Sequence, residues 1–194
     1  MKKTLILYFS LMTACFCHAQ SEKNIISDSF VLESRAKADV VLSKFDTISS
    51  KKMLYSLSNK HYYVIIQQDT CYKEYVISID STCNVLSIKK IDNNSKINDL
   101  KIRKRLSKNQ QKNLKRLEAD RQMLKEAFNT KYSTELITTI PNATYIAGVP
   151  SYFVIKDEDN NRYGEYSLSS ITTPCPINPN LWAYLIRELM ENIK

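Results

Sequence analysis

Apolar and polar positions alternate most clearly from Tyr62 to Ile91, which reads YYVIIQQDTCYKEYVISIDSTCNVLSIKKI. Three runs rich in Tyr, Val and Ile are separated by QDT and DST. Such runs, punctuated by Asp, Ser and Thr, are the pattern of an antiparallel meander. Met53–Leu57 offers one more short strand before a turn at Ser58–Lys60. In the middle run Tyr75, Ile77 and Ile79 alternate with Glu74, Val76 and Ser78. One face is apolar and the other mixed, which predicts a sheet with a helix on one side and a tyrosine-bearing face open for binding.

The flanks switch to helical spacing. Asp28 or Ser29 can cap a helix from Phe30 to Phe45, with Val31, Ala38, Val41, Leu42 and Phe45 on its core side. Asp92 to Asp99 reads as a polar connector. From Leu100 to Asn129 neither Pro nor Gly interrupts the chain, and one long helix is expected. Its apolar seam of Leu106, Leu114, Leu117, Leu124 and Phe128 is thin, and Gln110 and Arg121 share the row. Residues 130–147 fit neither pattern, although Pro141-Asn142 marks a turn. Tyr152–Lys156 and Tyr163–Leu168 read as a hairpin around Asp157–Asn161. Pro174, Pro176 and Pro179 make Thr173–Pro179 a rigid loop. Asn180 then caps a final helix with Leu181, Trp182, Leu185, Ile186, Leu189 and Ile193 on its apolar face.

The expected architecture is a single α+β domain over residues 29–194. It consists of an N-terminal helix, an antiparallel meander of about four strands, a long basic helix, a late β-hairpin and a C-terminal helix. Residues 1–19 read as a signal peptide and 20–28 as a flexible lead-in. Lys2 and Lys3 form a positive start, Leu5–Cys17 is uncharged and apolar, and Cys17-His18-Ala19 is a small-x-small cleavage site. A rival reading takes Met12-Thr13-Ala14-Cys15 as a lipoprotein box, with Cys15 as a lipid anchor. Neither reading leaves a transmembrane span, since the apolar run is shorter than the roughly 20 residues a helix needs.

Composition removes several function classes. The only glycines are Gly148 and Gly164, too few for a P-loop or a dinucleotide fingerprint, and no cofactor is expected. Turns must come from Asn, Asp and Ser. With His18 in the signal segment, His61 is the sole remaining histidine; multi-histidine zinc sites are excluded. Asp157-Glu158-Asp159-Asn160-Asn161 has the oxygen density of a calcium loop. An EF-hand, however, would want Gly at Arg162 and Glu at Leu168, so no metal is expected.

Beyond the signal segment the cysteines are Cys71, Cys83 and Cys175. A strand between Cys71 and Cys83 would hold them about 25–30 Å apart, far beyond disulfide reach. The expected bridge joins Cys175 to Cys71 or Cys83. The net charge of +8 is concentrated in Lys101, Arg103, Lys104, Arg105, Lys108 and Lys112, followed by Lys115 and Arg116. This run suits another protein or an acidic envelope surface. It lacks the interleaved aromatics of a single-strand binder, and no nucleic acid is expected. The leading expectation is an exported, periplasmic or cell-surface, non-enzymatic binding protein of inhibitor or immunity type. The alternatives are a small exported enzyme with a Cys175 nucleophile and a His61 base, and a lipid-anchored envelope component.

Overall fold

The structure is a computed structural model and describes residues 28–45, 50–130, 144–173 and 177–193. The signal segment, the lead-in before residue 28, Cys15, the Pro141-Asn142 turn and Cys175 lie outside the described residues. The order is α1 (Asp28–Ser43), β1 (Lys51–Leu57), β2 (His61–Gln68), β3 (Cys71–Ile79), β4 (Val85–Ile91), α2 (Asn93–Lys101), α3 (Lys108–Asn129), β5 (Thr144–Lys156), β6 (Arg162–Thr173) and α4 (Pro179–Asn192). The class is α+β. The strands form one six-stranded sheet in the order β4-β3-β2-β1-β5-β6, with antiparallel neighbours throughout. The late hairpin therefore docks on β1 and extends the meander.

Helices cover both faces, where the sequence pattern suggested one. Leu54, Val64, Ile66, Tyr152 and Val154 pack under Ala38, Val41 and Leu42 of α1. On the opposite face Met53, Tyr55, Tyr63, Ile65, Phe153 and Ile155 pack under α3 and α4 through Leu124, Phe128, Leu181 and Leu185. Burial on both sides explains why Met53–Tyr55, Tyr62–Ile66 and Tyr152–Ile155 are continuous apolar runs. It also corrects the expected open tyrosine face: Tyr55, Tyr62 and Tyr63 are fully buried.

The expected long helix is two helices. Asp92, read as part of a connector, is the N-cap of α2 and accepts from the Ser95 backbone N–H at 2.9 Å. After six intervening residues a new helix begins: Ser107 and Gln110 form a reciprocal capping box at the start of α3. Ile97 and Leu100 of α2 pack on Leu117 of α3, with Leu106 and Leu114 alongside. The final helix also begins earlier than expected. Asn178, not Asn180, caps α4, with Pro179 in its first turn.

Turns are built without glycine. Ser58, Asn59, Asp69, Cys83 and Asn160 all take positive φ. Two hairpins share one device. Asp80 Oδ1 accepts the backbone N–H groups of Thr82 and Asn84 at 2.8 and 2.9 Å. Asp157 Oδ1 does the same for Asp159 and Asn161 at 3.0 and 2.7 Å. In each, the residue before the closing Asn is left-handed, as in a three-residue type I turn with a bulge.

Candidate functional site

A groove of about 500 Å³ opens where the β2–β3 hairpin meets α2 and α3. Gln67, Asp69 and Tyr72 form one wall, Asn94 and Lys101 the second, and Glu118, Arg121, Gln122 and Lys125 the third. Local chemistry sets each wall. Asp69 takes a φ of 56° at the hairpin tip, a conformation Asp tolerates better than bulkier residues. Asn94 donates to the Tyr72 carbonyl at 2.7 Å and ties α2 to β3. Lys101 and Glu118 pair at 3.0 Å across the rim.

The floor, where Arg121 and Tyr72 line the groove, rests on a buried polar network. Glu74 on β3 is 1% exposed, and its Oε1 pairs with Arg121 of α3. Its Oε2 accepts from the hydroxyl of Tyr63 on the neighbouring strand. The same oxygen accepts from Tyr184 of α4 at 2.8 Å and from Asn93 Nδ2 of α2 at 2.9 Å. One carboxylate thus joins β2, β3, α2, α3 and α4. The Arg121 guanidinium lies over the Tyr72 ring, 5.2 Å from its centre. Burial, then the neighbouring Tyr184 and Glu74, holds the Tyr63 hydroxyl well above its usual range. Burial followed by Glu74 does the same for Tyr184. Both phenols therefore remain protonated donors at neutral pH and are poor proton acceptors. The network stabilises the floor; on the rim the Gln122 and Asn94 amides donate to Glu126 and to the Tyr72 carbonyl, while Asp69 and Lys125 are exposed to meet a ligand.

A matching network lies on the other face. Glu165 on β6 is 1% exposed and accepts from Arg35 of α1 through both oxygens, at 2.9 and 2.7 Å. Tyr152 of β5 donates to it as well. In both networks the tyrosine is diagonal to the glutamate across adjacent strands, since Tyr63 pairs with Val76 and Tyr152 with Ser167. In both, the arginine comes from the covering helix.

The residues singled out in the sequence are not gathered in one place. Lys101 closes α2 and reaches the groove. Arg103, Lys104 and Arg105 stand in the link between α2 and α3, and Lys108 and Lys112 lie on the exposed first half of α3. The run therefore bends round a helix–helix corner instead of lining one helix. His61 begins β2, and its Nδ1 lies 3.1 Å from Ser78 Oγ. Cys71 and Cys83 are free thiols at opposite ends of β3, Cys71 as its first residue and Cys83 in the turn beyond it. Asp157 spends its carboxylate on the backbone of its own turn, and among the described residues no group of three or more His, Cys, Asp or Glu could hold a metal. No described helix is long and apolar enough to cross a membrane.

Sequence reasoning missed the Glu74 network, but its parts left traces. Glu74 is an acid inside a Tyr/Val/Ile run, and Arg121 interrupts an apolar seam. What the sequence hides is that these two anomalies answer each other across 47 positions, with Tyr184 a further 63 along. No family model matches the chain, and neither do any curated proteins or solved structures.

Proposed function

We propose that the chain is an exported, non-enzymatic binding protein, of the kind that acts as an inhibitor or immunity protein in the periplasm or at the cell surface. The observation that carries the reading is the groove beside α3: an open hollow of about 500 Å³ whose floor is held rigid by Glu74 and whose rim offers donors and acceptors of both signs. A preformed, mixed-sign groove suits a polar protein segment, because little ordering cost falls on the receptor. Export rests on Lys2, Lys3, the uncharged run to Cys17 and the Cys17-His18-Ala19 site.

The test is a photo-crosslinking residue at Gln122, on the groove rim, with a control at exposed Glu126 on the same helix. The binding reading expects a saturable adduct with one envelope protein from Gln122 alone, and weakening of that complex about tenfold or more by Lys125→Glu, as for loss of one interfacial charge pair. Equal labelling from both positions, or a complex indifferent to Lys125→Glu, would remove the groove as the binding site.

A further inference from the structure

Of the corner between α2 and α3, residues Lys101 to Arg116, only Lys101 lines the groove. From Lys101 to Arg116 the chain carries Lys101, Arg103, Lys104, Arg105, Lys108, Lys112, Lys115 and Arg116 and no acidic residue. All of these side chains are exposed. Of these eight cations only Lys101 makes an ion pair among the described residues, with Glu118. The first part of α3, Lys108 to Arg116, has no buried residue; burial begins at Leu117. That stretch is about 13 Å of helix. The small cluster of Ile97, Leu100, Leu106, Leu114 and Leu117 that supports the corner contains no strand residue. The corner is thus a self-supported, cationic projection.

The link between the two helices begins with an apolar side chain. Ile102 caps the end of α2 and is 79% exposed, more than any other exposed large apolar residue among those described. It is followed directly by Arg103, Lys104 and Arg105. An exposed apolar side chain flanked along the chain by long, exposed cationic ones matches the boundary of an anionic bilayer, where phosphates lie outside and acyl chains begin beneath. A nucleic acid would offer the phosphates but no apolar layer for Ile102, and the corner has no Phe, Tyr or Trp to stack on bases.

We infer that the α2–α3 corner docks on an anionic lipid surface, with Arg103, Lys104 and Arg105 on the headgroup phosphates and Ile102 entering the acyl boundary. The experiment is co-sedimentation of the full chain with vesicles of equal phosphatidylglycerol and phosphatidylcholine, beside vesicles of phosphatidylcholine alone. Binding to the anionic vesicles only is expected, and it should weaken as salt rises. Each cation contributes roughly fivefold at such a surface, so Arg103→Glu, Lys104→Glu and Arg105→Glu together should weaken binding about a hundredfold or more. Ile102→Ser should weaken it several-fold while leaving its salt dependence unchanged, because it removes apolar contact and no charge. These positions are exposed, and an unchanged thermal midpoint shows that the variants fold. Equal binding to both vesicles, no binding to either, or a triple variant that binds as the parent does would overturn the inference. So would tighter binding to a duplex or single-stranded oligonucleotide than to the anionic vesicles, which would assign the corner to nucleic acid. Arg103, Lys104 and Arg105 do not line the groove, so this outcome and the crosslinking result stand or fall separately.

Discussion

Replacing Glu74 by alanine tests whether the floor network is a structural keystone. Glu74→Ala strands the Arg121 guanidinium, whose side chain is only 16% exposed. It also removes the acceptor from Tyr63, Tyr184 and Asn93. Breaking a buried pair from one side costs about 3–5 kcal/mol. The Arg121 Nη1 and Nη2 atoms are themselves buried and gain little from water, so the lower end, about 3 kcal/mol, is the expected minimum. At about 2–4 °C per kcal/mol for a chain of this size, the thermal midpoint should fall by about 6–12 °C. The double variant Glu74→Leu with Arg121→Met should be the more stable of the two, because no charge is left unpaired. Its remaining deficit is about 1–3 kcal/mol for orphaned donors, reduced because the Tyr63 and Tyr184 oxygens already lie 3.1 Å apart and can bond each other. Urea unfolding followed by fluorescence is suitable. Trp182 is the only tryptophan and packs edge-on to Tyr55 at 5.1 Å, in the layer that the network holds. A loss under about 1 kcal/mol for Glu74→Ala, on the scale of an ordinary surface change, or a double variant no better than the single, would refute the reasoning.

Two further outcomes follow from the same geometry. Tyr63 and Tyr184 have folded-state values raised well above their ordinary one, first by burial. Their contribution is complete below about pH 10 and is lost as pH rises, because the unfolded chain releases protons that the folded chain retains. Stability should fall above pH 10 by roughly 1.4 kcal/mol per pH unit for each such tyrosine; urea midpoints against pH measure this, and a flat profile there would contradict the burial. Cys71 is exposed and free, whereas Cys83 is partly covered. A thiol reagent should label Cys71 first in the native protein, and peptide mapping should find no Cys71–Cys83 bridge; finding that bridge would disprove the β3 placement.

Local signals carried much of the fold. The meander, the α1 stripe, the late hairpin and the apolar face of α4 were legible because each is a short-range pattern of side-chain period. The Asp80 and Asp157 turns were legible because a chain with two glycines must find left-handed positions elsewhere. The break between α2 and α3 was written as Ser107-Lys108-Asn109-Gln110, a capping box that the absence of Pro and Gly overshadowed. α2 itself was illegible for another reason. NNSKINDLK has weak helix propensity, and what stabilises it is the Asp92 cap and the burial of Ile97 and Leu100 against Leu117. Burial of both sheet faces was likewise a tertiary fact, since a mixed face looks solvent-facing until Arg121 is found opposite Glu74. The groove follows from that same long-range pairing, and no window of sequence contains it.

The two networks also account for how such narrow apolar stripes dock uniquely. α1 presents Ala38, Val41 and Leu42 to the sheet, small or similar side chains that would fit several neighbouring registers. Apolar contact is non-directional and does not choose among them. The two-oxygen contact of Arg35 with Glu165 does, because a guanidinium fork fits a carboxylate in few orientations. After Arg35 is removed the buried Glu165 still has Tyr152 and Arg162 as partners, so this loss costs less than that of Arg121. Arg35→Met should therefore change global stability little while loosening the seating of α1. The discriminating measurement is amide hydrogen exchange: faster exchange across Ser34–Leu42, with β1 and β2 unchanged, is expected from local opening. Unchanged exchange in α1 would mean that packing alone sets its register and that the Glu165 network is incidental to it.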